Sequence, residues 1–313
     1  MKKQSFAVLG AGAVGGLYGA MLAKNGHDVH FLLRSDFEHV AANGFQIESR
    51  WGDFHLKQPN VYRNADELPA CDVTLVGLKT VQNELLPEML RSTMRDGGIA
   101  LILQNGLGVE ESLSEHFEPT KIFGGCCFLC SNKVGPGHIR HIDYGRIVFG
   151  PSHNTEGTLE LAKEIESEFN AAGIEAQMSD DLSTVRWRKL MWNIPFNGLS
   201  VALDASTDRL IASEDSVTLI RDIITEVHHA GTHCGASIGE EWIEKTIDHT
   251  RTMVPYDSSM RLDYLAGRPM ELDAILSNPL QAAKAAGIKM PKTEMLLQVL
   301  RFMQQSSRSR DGH

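Results

Sequence analysis

Three side chains in the second half of the chain recur at a spacing that suits proton transfer. Lys189, Asn193 and Asn197 follow one another at intervals of four residues. In a helix such residues lie on one face, about 6 Å apart. The residues between them are apolar, which predicts an ammonium and two amides set into a largely buried helix. A buried lysine must be neutralised, paired or used chemically, and a network that only packs helices is the alternative interpretation.

Further polar residues follow downstream in the sequence. Ser258 and Ser259 precede Glu271, which comes two residues after Pro269. That position predicts the first turn of a helix, where a carboxylate also suits the helix dipole. Glu271 is therefore a candidate site residue, with helix capping as the alternative.

A glycine pattern near the start of the chain predicts a phosphate site. The pattern GxGxxG follows a predicted strand and opens a predicted helix. The first glycine permits a tight turn, the second lets a pyrophosphate approach the backbone, and the third lets helix and strand pack closely. A glycine-rich turn without ligand is the alternative; FAD proteins share the pattern but usually need further cofactor-binding sequence. The motif residues are Gly10, Gly12, Ala13, Val14 and Gly15.

The residue after the second predicted strand bears on which dinucleotide is bound. A protein that reads the ribose 2′-hydroxyl of NAD normally offers a carboxylate about 20 residues beyond the glycines. Here that strand ends in Leu33 and Arg34. A guanidinium favours the 2′-phosphate of NADP, because its planar fork can grip a phosphate. Arg34 therefore predicts NADP(H), and NAD read by Asp36 or a solvent-exposed Arg34 without a role are the alternatives.

Two later predicted strands also end in polar residues. Lys79 follows the third strand and Asn105 follows the fourth. Because ligands bind at the carboxyl ends of strands in an open α/β sheet, both are candidate cofactor contacts. A surface lysine and a turn-forming asparagine beside Gly106 are the alternatives.

The first half of the chain has the pattern of repeated βαβ units. Short apolar runs that alternate with helical segments predict parallel strands buried on both faces. Right-handed crossovers then give a doubly wound sheet of Rossmann type. Residues 124–150 are predicted as antiparallel or irregular strands at the edge of the sheet. The four parallel strands are predicted at residues 6–9, 29–33, 73–76 and 99–103.

The second half predicts an all-α domain. A helix at 159–172 and a short strand at 174–178 precede a polar cluster at 179–181, which predicts a helix start and the domain boundary. We therefore expect an α/β nucleotide-binding domain over 1–179 and a helical substrate domain over 180–313, with 306–313 frayed. Its helices are predicted near 182–203, 207–213, 215–235, 239–248 and 279–303.

Composition and charge narrow the class of protein. The chain is 42% hydrophobic and 22% charged, which is ordinary for a folded globular protein. A formal charge of −10 repels phosphate backbones, so we expect no nucleic-acid partner. No apolar stretch reaches the roughly 20 residues of a membrane-spanning helix, so we expect no membrane association.

The cysteines and the first residues bear on the compartment. Five cysteines without a framework spacing predict a reducing environment, and therefore the cytoplasm. Residues 1–23 imitate a signal peptide, but their glycines would weaken a helical signal core, so we do not expect export. Cys127 and Cys130 lie in a strand-like run, and His229 and His233 lack a zinc signature, so no metal is expected.

These motifs together resemble the ketopantoate reductase (2-dehydropantoate 2-reductase) family. The resemblance covers almost the whole chain and depends on the order and spacing of separate motifs. Pro195 lies within one of them, which is a departure from a regular helix. The motifs are the glycine run at 10–15, Lys79, the run at 104–106, Lys189-x3-Asn193-x3-Asn197, Ser258-Ser259-Met260 and Glu271-Leu272-Asp273.

The resemblance implies NADPH-dependent reduction of a 2-oxo acid, with ketopantoate the favoured substrate, in a cleft between a Rossmann domain and a helical domain. By similarity Lys189 would be the general acid, and Glu271, Asn193 and Asn197 would hold polar groups of the substrate. Ser259 would bind the substrate carboxylate. Arg34, Lys79 and Asn105 would contact the cofactor, with Asn105 near the nicotinamide and the substrate, and Glu271 would also serve the cofactor and catalysis.

The chemistry is consistent with that implication. Hydride addition to a ketone leaves negative charge on oxygen, which a positioned ammonium can stabilise and protonate. Burial would lower the pKa of Lys189 and a nearby carboxylate would raise it, and the sequence does not decide between them. Two alternatives remain: a paralogous enzyme acting on another 2-oxo or 2-hydroxy acid, and a non-catalytic nucleotide sensor. The oligomeric state also stays open, with a homodimer as one option.

Overall fold

A computed structural model describes the backbone of residues 3–310 and the side chains of residues 3–306. Met1 and Lys2, the first residues of the leader-like stretch, lie outside the described residues. The chain folds into two compact units. The first, the sheet unit, comprises Met1–Gln104 and Val109–Leu182; the second, the helical unit, comprises Asn105–Gly108 and Ser183–His313. The expected boundary lay after residue 179, whereas the sheet unit ends at Leu182 and Asn105–Gly108 belongs to the helical unit.

The sheet unit is built around ten strands in the order β4-β3-β9-β8-β7-β6-β1-β2-β5, with β10 paired to β9. The four predicted strands are confirmed as β1, β2, β6 and β7, and they pair in parallel. The strands are β1 Ser5–Leu9, β2 Asp28–Leu32, β3 Phe45–Ser49, β4 Phe54–Leu56, β5 Asn60–Tyr62, β6 Cys71–Val76, β7 Met94–Ile102, β8 Ile122–Gly135, β9 His138–Pro151 and β10 Ala176–Met178.

Helices cover both faces of the central strands, which explains their continuous apolar runs. In β1, Phe6 and Val8 pack into the core on one face, and Ala7 and Leu9 pack into the core on the other. Neither face of such a strand is exposed to water, so alternation with polar residues is not required. The doubly wound α/β fold is confirmed. The helices of this unit are α1 Gly15–Lys24, α2 Phe37–Asn43, α3 Leu86–Thr93, α4 Val109–Leu113 and α5 Glu156–Ala171.

The prediction that residues 124–150 lie at the edge of the sheet is wrong. They form the antiparallel hairpin of β8 and β9, and β9 is covered on its outer side by β3 and β10. Among the described strands, those with a single neighbour are β4, β5 and β10, of three residues each. β3 has only five residues and no continuous apolar run, so the sequence pattern did not predict that it covers β9.

The helical unit follows the predicted all-α pattern. Its core contains Trp187, Leu190, Met191, Ile224 and Leu300, all at most 2% exposed. Ser258 accepts a hydrogen bond from the Arg261 backbone N–H and thereby caps a helix that was not predicted. The helices are α6 Leu182–Trp192, α7 Gly198–Ala202, α8 Thr207–Ile211, α9 Glu214–His233, α10 Trp242–Thr252, α11 Ser259–Leu265, α12 Asn278–Ala285 and α13 Pro291–Arg310.

Three helix predictions need correction. The single helix over 182–203 is interrupted by a π-helical segment at Asn193–Asn197, in which Pro195 has no N–H to donate. The single helix over 279–303 is two helices, because Gly287 has φ +77° and Pro291 starts the second one. The frayed end over 306–313 is also wrong as far as Arg310, where α13 continues, and 311–313 lie outside the described residues.

Candidate functional site

The glycines of the turn between β1 and α1 differ in how closely the surrounding backbone packs against them. Gly10 has φ +91°, and a Cβ there would lie 2.6 Å from the Leu78 nitrogen. A Cβ on Gly15 would lie 2.4 Å from the Gly10 oxygen, whereas one on Gly12 would meet nothing within 4 Å. The first and third glycines therefore permit close backbone packing. The second leaves open space at the turn, as expected for a position that a ligand approaches.

The start of α1 is suited to an anion. The Gly16 N–H donates to the Gly12 oxygen at 2.9 Å and the Tyr18 N–H donates to the Val14 oxygen at 3.1 Å, so helical hydrogen bonding begins at the glycine turn. No side chain among the described residues caps this helix, and its first turn contains no acidic residue. The first N–H groups and the positive end of the helix dipole therefore face the same turn as Gly12.

A cavity of about 510 Å³ adjoins this turn, within the sheet unit. It lies at the carboxyl ends of β1 and β2, where an open α/β sheet binds ligands. The structure thus brings together two separately predicted features, the glycine motif and Arg34. Its lining includes Gly10, Gly12, Arg34, Ser35, Asp36 and Lys133.

Arg34 and Asp36, the two candidate readers of the ribose, have different surroundings. Asp36 is 6% exposed and accepts hydrogen bonds from the Gly137 N–H at 3.0 Å and the Ser35 hydroxyl at 2.9 Å. It also pairs with the Lys133 ammonium at 2.6 Å. Burial would raise the pKa of Asp36, but these hydrogen bonds outweigh burial and hold that pKa below its usual value. Arg34 is exposed and makes no ion pair with any residue that the structure describes.

Lys79 and Gln104 lie at the neighbouring strand ends. Lys79 is half-buried and directly precedes the 3₁₀ turn at Thr80–Leu85. The Gln104 amide donates to the Leu78 oxygen at 2.8 Å and to Asn83 Oδ1 at 2.7 Å. These bonds tie the chain after β7 to the chain after β6 and fix the backbone on either side of Lys79.

The segment Asn105–Gly108 is bound to the helical unit. Gly106 has φ +101°, and a Cβ there would lie 2.3 Å from the Ala274 oxygen. The Leu107 N–H donates to that same oxygen at 2.9 Å, and the Asn278 amide donates to the Leu107 oxygen at 2.7 Å. Because glycine alone fits this approach, Gly106 allows Asn105 to be held by the helical unit.

Two predicted site residues meet in the helical unit. The Asn193 amide donates to Asn105 Oδ1 at 3.3 Å. Asn193 and Asn197 are 3% and 2% exposed and occupy the π-helical segment. Lys189 is half-buried in the last turn of α6, with its ammonium 6.0 Å from the centre of the Trp192 ring. The hydrogen bonding of this helix therefore changes from the α to the π pattern between Lys189 and Asn197. Segments of π-helix are frequent at functional sites.

Ser258 and Ser259 differ in their surroundings. Ser258 is fully buried, and its hydroxyl lies 2.6 Å from that of Ser200 in a hydrogen bond. Ser200 was not predicted as a site residue. Ser259 is exposed at the first position of α11. The Ser258 hydroxyl is therefore engaged in hydrogen bonds within the core, whereas Ser259 is accessible to solvent.

Glu271 lies one residue before the helical conformation starts, whereas the sequence placed it in the first turn. Its carbonyl accepts from the Ile275 N–H at 3.2 Å, and the residue is 9% exposed. Buried carboxylates are uncommon unless they are paired or functional. Glu271 is therefore a buried carboxylate next to the start of a helix.

Sequence reasoning missed Lys133, Ser200 and Asn278. Each contacts a predicted site residue or its neighbour, but none lies in a motif. The run of glycine and proline at 135–137 indicates a hairpin turn next to Lys133, yet nothing in it shows that the hairpin lies beside the end of β2.

Neither a cluster of metal ligands nor a helix that could span a membrane occurs among the described residues. Across residues 3–306, no group of three or more His, Cys, Asp or Glu side chains is arranged to hold a metal ion. Within the helices that the structure describes, none combines the length and the apolar character needed to cross a membrane.

A Rossmann-type sheet with a GxGxxG turn in one unit, and a lysine with two buried amides in the other, are features that suit a dinucleotide-dependent oxidoreductase. Models of the ketopantoate reductase PanE/ApbA family match residues 6–154, and those of its C-terminal domain match residues 181–304. The chain belongs to the ketopantoate reductase family, and the resemblance seen in its motifs is confirmed.

Individual relatives match along the whole chain. A 2-dehydropantoate 2-reductase of Nostoc sp. is 45% identical over 315 residues, which cover 100% of this chain and 98% of the relative. A crystal structure of 2-dehydropantoate 2-reductase from Geobacter metallireducens is 40% identical, with a TM-score of 0.91 over 95% of this chain and 99% of that one. The corresponding structure from Methylococcus capsulatus is 31% identical, with a TM-score of 0.85 over 97% of each chain.

Proposed function

We propose that this protein reduces 2-dehydropantoate (ketopantoate) to pantoate with NADPH, a step of pantothenate biosynthesis, in the cytoplasm. The observation that carries the proposal is the match to 2-dehydropantoate 2-reductases from one end of the chain to the other. The half-buried Lys189 and the buried Asn193, Asn197 and Glu271 supply the polar groups that such a reaction needs.

The sheet unit fits NADPH. Open space at Gly12, uncapped N–H groups at the start of α1 and the adjoining cavity suit a pyrophosphate. Asp36 is occupied by Lys133, Gly137 and Ser35, which favours a phosphate at Arg34 over a ribose hydroxyl at Asp36. When bound, NADPH supplies the hydride. The residues proposed to hold it are Gly10, Gly12, Ala13, Val14, Gly15, Arg34, Lys79, Asn105 and Glu271.

The helical unit provides groups for the substrate. We assign Lys189 as the general acid, whose ammonium stabilises the negative charge that forms on the keto oxygen and donates a proton to it. Asn105, Asn193 and Asn197 would orient polar groups of the substrate through their amides. Ser259, the accessible serine of its pair, would bind the carboxylate, and Glu271 would assist from its buried position.

A panel of 2-oxo acids tests the substrate assignment. We expect the highest kcat/KM for NADPH oxidation with 2-dehydropantoate. The informative comparison is 3,3-dimethyl-2-oxobutanoate, which lacks only the terminal hydroxyl. Because a site that hydrogen-bonds a hydroxyl rejects the analogue without it, we expect kcat/KM to fall by at least about 10²-fold. Equal or faster turnover of another 2-oxo acid would replace the substrate and leave the reductase class intact.

A matched pair of glycine substitutions tests the nucleotide turn. Gly15→Ala places a Cβ against the Gly10 oxygen and is expected to lower the free energy of unfolding by about 1–3 kcal/mol, the usual cost of overpacking. Gly12→Ala adds a Cβ in open space, so its stability should change by no more than about 0.5 kcal/mol.

The same two substitutions should affect NADPH binding in the opposite order, with the larger loss in Gly12→Ala. Gly12→Ala should weaken NADPH binding by at least about tenfold, because the methyl group obstructs the approach of the pyrophosphate to the backbone. Urea denaturation and fluorescence titration measure the two quantities. A Gly12→Ala variant that binds NADPH as tightly as the wild-type protein would show that the nucleotide does not lie against this turn.

A further inference from the structure

We propose that Lys133 is a second specificity-determining residue, which together with Arg34 binds the 2′-phosphate of NADP(H). The inference rests on the proposed function and extends it to a residue outside the sequence motifs. A phosphate monoester carries up to two negative charges near neutral pH, so a single guanidinium leaves part of that charge uncompensated.

Lys133 reaches the cavity from a distant part of the chain. It lies in β8, two residues before the end of that strand, and it lines the same cavity as Gly12 and Arg34. Its ammonium lies 2.6 Å from the carboxylate of Asp36, two residues after Arg34. The ammonium of Lys133 is thereby fixed beside the chain that leaves β2.

Asp36 acts as an anchor for this lysine. Its side chain is 8% exposed, whereas that of Lys133 is 36% exposed, so the lysine is the accessible member of the pair. Hydrogen bonds from Ser35 and from the Gly137 N–H hold the carboxylate in place. An ammonium has three N–H donors, and the pair with Asp36 uses one of them. The others remain suitable for phosphate oxygens in the cavity.

The third cation of the cavity lining is engaged differently. Arg63 forms an ion pair with Glu38, and its guanidinium lies 4.3 Å above the ring of Phe37. Both contacts direct its charge toward the first turn of α2. Arg34 and Lys133 are therefore the cations of this cavity that we assign to the phosphate.

Comparison of NADPH with NADH isolates the proposed contact, because the two differ only in the 2′-phosphate. Fluorescence titration of this protein gives both dissociation constants without turnover. Lys133→Met is expected to weaken NADPH binding by about tenfold, a typical loss for one charge-assisted hydrogen bond, and to change NADH binding by less than about twofold. Lys133→Arg, which keeps a cation, should retain most of the NADPH preference.

Arg140→Met is the matched control. Arg140 lies on the same hairpin and pairs with the carboxylate of Glu48 at 2.6 Å, but it is not part of the cavity lining. We expect this variant to leave both dissociation constants unchanged. A general effect of losing a hairpin cation would appear in it as well.

The outcomes are distinct. If Lys133→Met weakens NADPH and NADH equally, or leaves both unchanged, the lysine has only a structural role and the inference is wrong. If the wild-type protein binds NADPH no more tightly than NADH, the NADP dependence in the proposed function fails before any variant is considered. Should Lys133→Met not fold, the contrast between Lys133→Arg and Lys133→Gln decides in the same way.

Discussion

Replacing Lys189 by alanine should lower kcat for the reduction of 2-dehydropantoate by at least about 10²-fold, with little change in NADPH affinity. General acid catalysis by a positioned side chain typically contributes that much. Alanine also removes the ammonium that would stabilise the developing charge on oxygen. Lys189 is not among the residues proposed to hold NADPH, so the substitution should leave nucleotide binding intact. Steady-state kinetics together with NADPH titration measure both parts.

An exposed lysine beside another tryptophan provides the control. Lys245 lies 5.0 Å from the centre of the Trp242 ring and pairs with Glu241, and it is also in the helical unit. Lys245→Ala should retain kcat within about twofold, because exposed ion pairs of this kind contribute little. A Lys189→Ala variant that keeps more than a tenth of the wild-type kcat would exclude this lysine as the general acid.

Replacing Arg34 by aspartate should shift cofactor preference from NADPH toward NADH by at least about 10²-fold in kcat/KM. The substitution removes a charge-assisted contact worth about 1.5–3 kcal/mol and places a carboxylate where the 2′-phosphate is expected. Such a carboxylate repels a phosphate but can accept a hydrogen bond from the ribose hydroxyl of NADH. Arg34 is exposed, so the change should not affect folding.

Arg34→Lys serves as the control for charge alone. It keeps a cation without the planar fork, and we expect it to retain a preference for NADPH that is weaker than in the wild-type protein. Kinetics with both cofactors at fixed 2-dehydropantoate give the ratio. Unchanged kcat/KM for NADPH in Arg34→Asp would remove Arg34 from the cofactor site, and the preference for NADP would then need another residue.

The sequence predicted the central strands because burial on both faces leaves a clear record. Phe6, Ala7, Val8 and Leu9 are all fully buried, and no alternation was needed to recognise them. The glycine turn was also predictable, because close backbone packing at Gly10 and Gly15 permits no side chain. Local constraints of this kind act over a few residues and are therefore visible in a short motif.

Features that depend on distant contacts were not predictable in the same way. Lys133 forms an ion pair with Asp36, which lies 97 residues earlier in the sequence. The spacing of Lys189, Asn193 and Asn197 in the sequence is that of a regular α-helix, whereas residues Asn193–Asn197 have π-helical hydrogen bonding. Ser258 and Ser259 are identical in type, and only packing distinguishes the buried hydroxyl from the exposed one.

The most direct test is a crystal structure of the protein with NADP⁺ and an unreactive analogue of 2-dehydropantoate. We predict that the Lys189 ammonium will lie within hydrogen-bond distance of the keto oxygen, about 3 Å, and that the substrate carbon will face the nicotinamide. A ternary complex in which that nitrogen stays far from the keto oxygen, while both ligands are bound, would contradict the assignment of the reaction to this site.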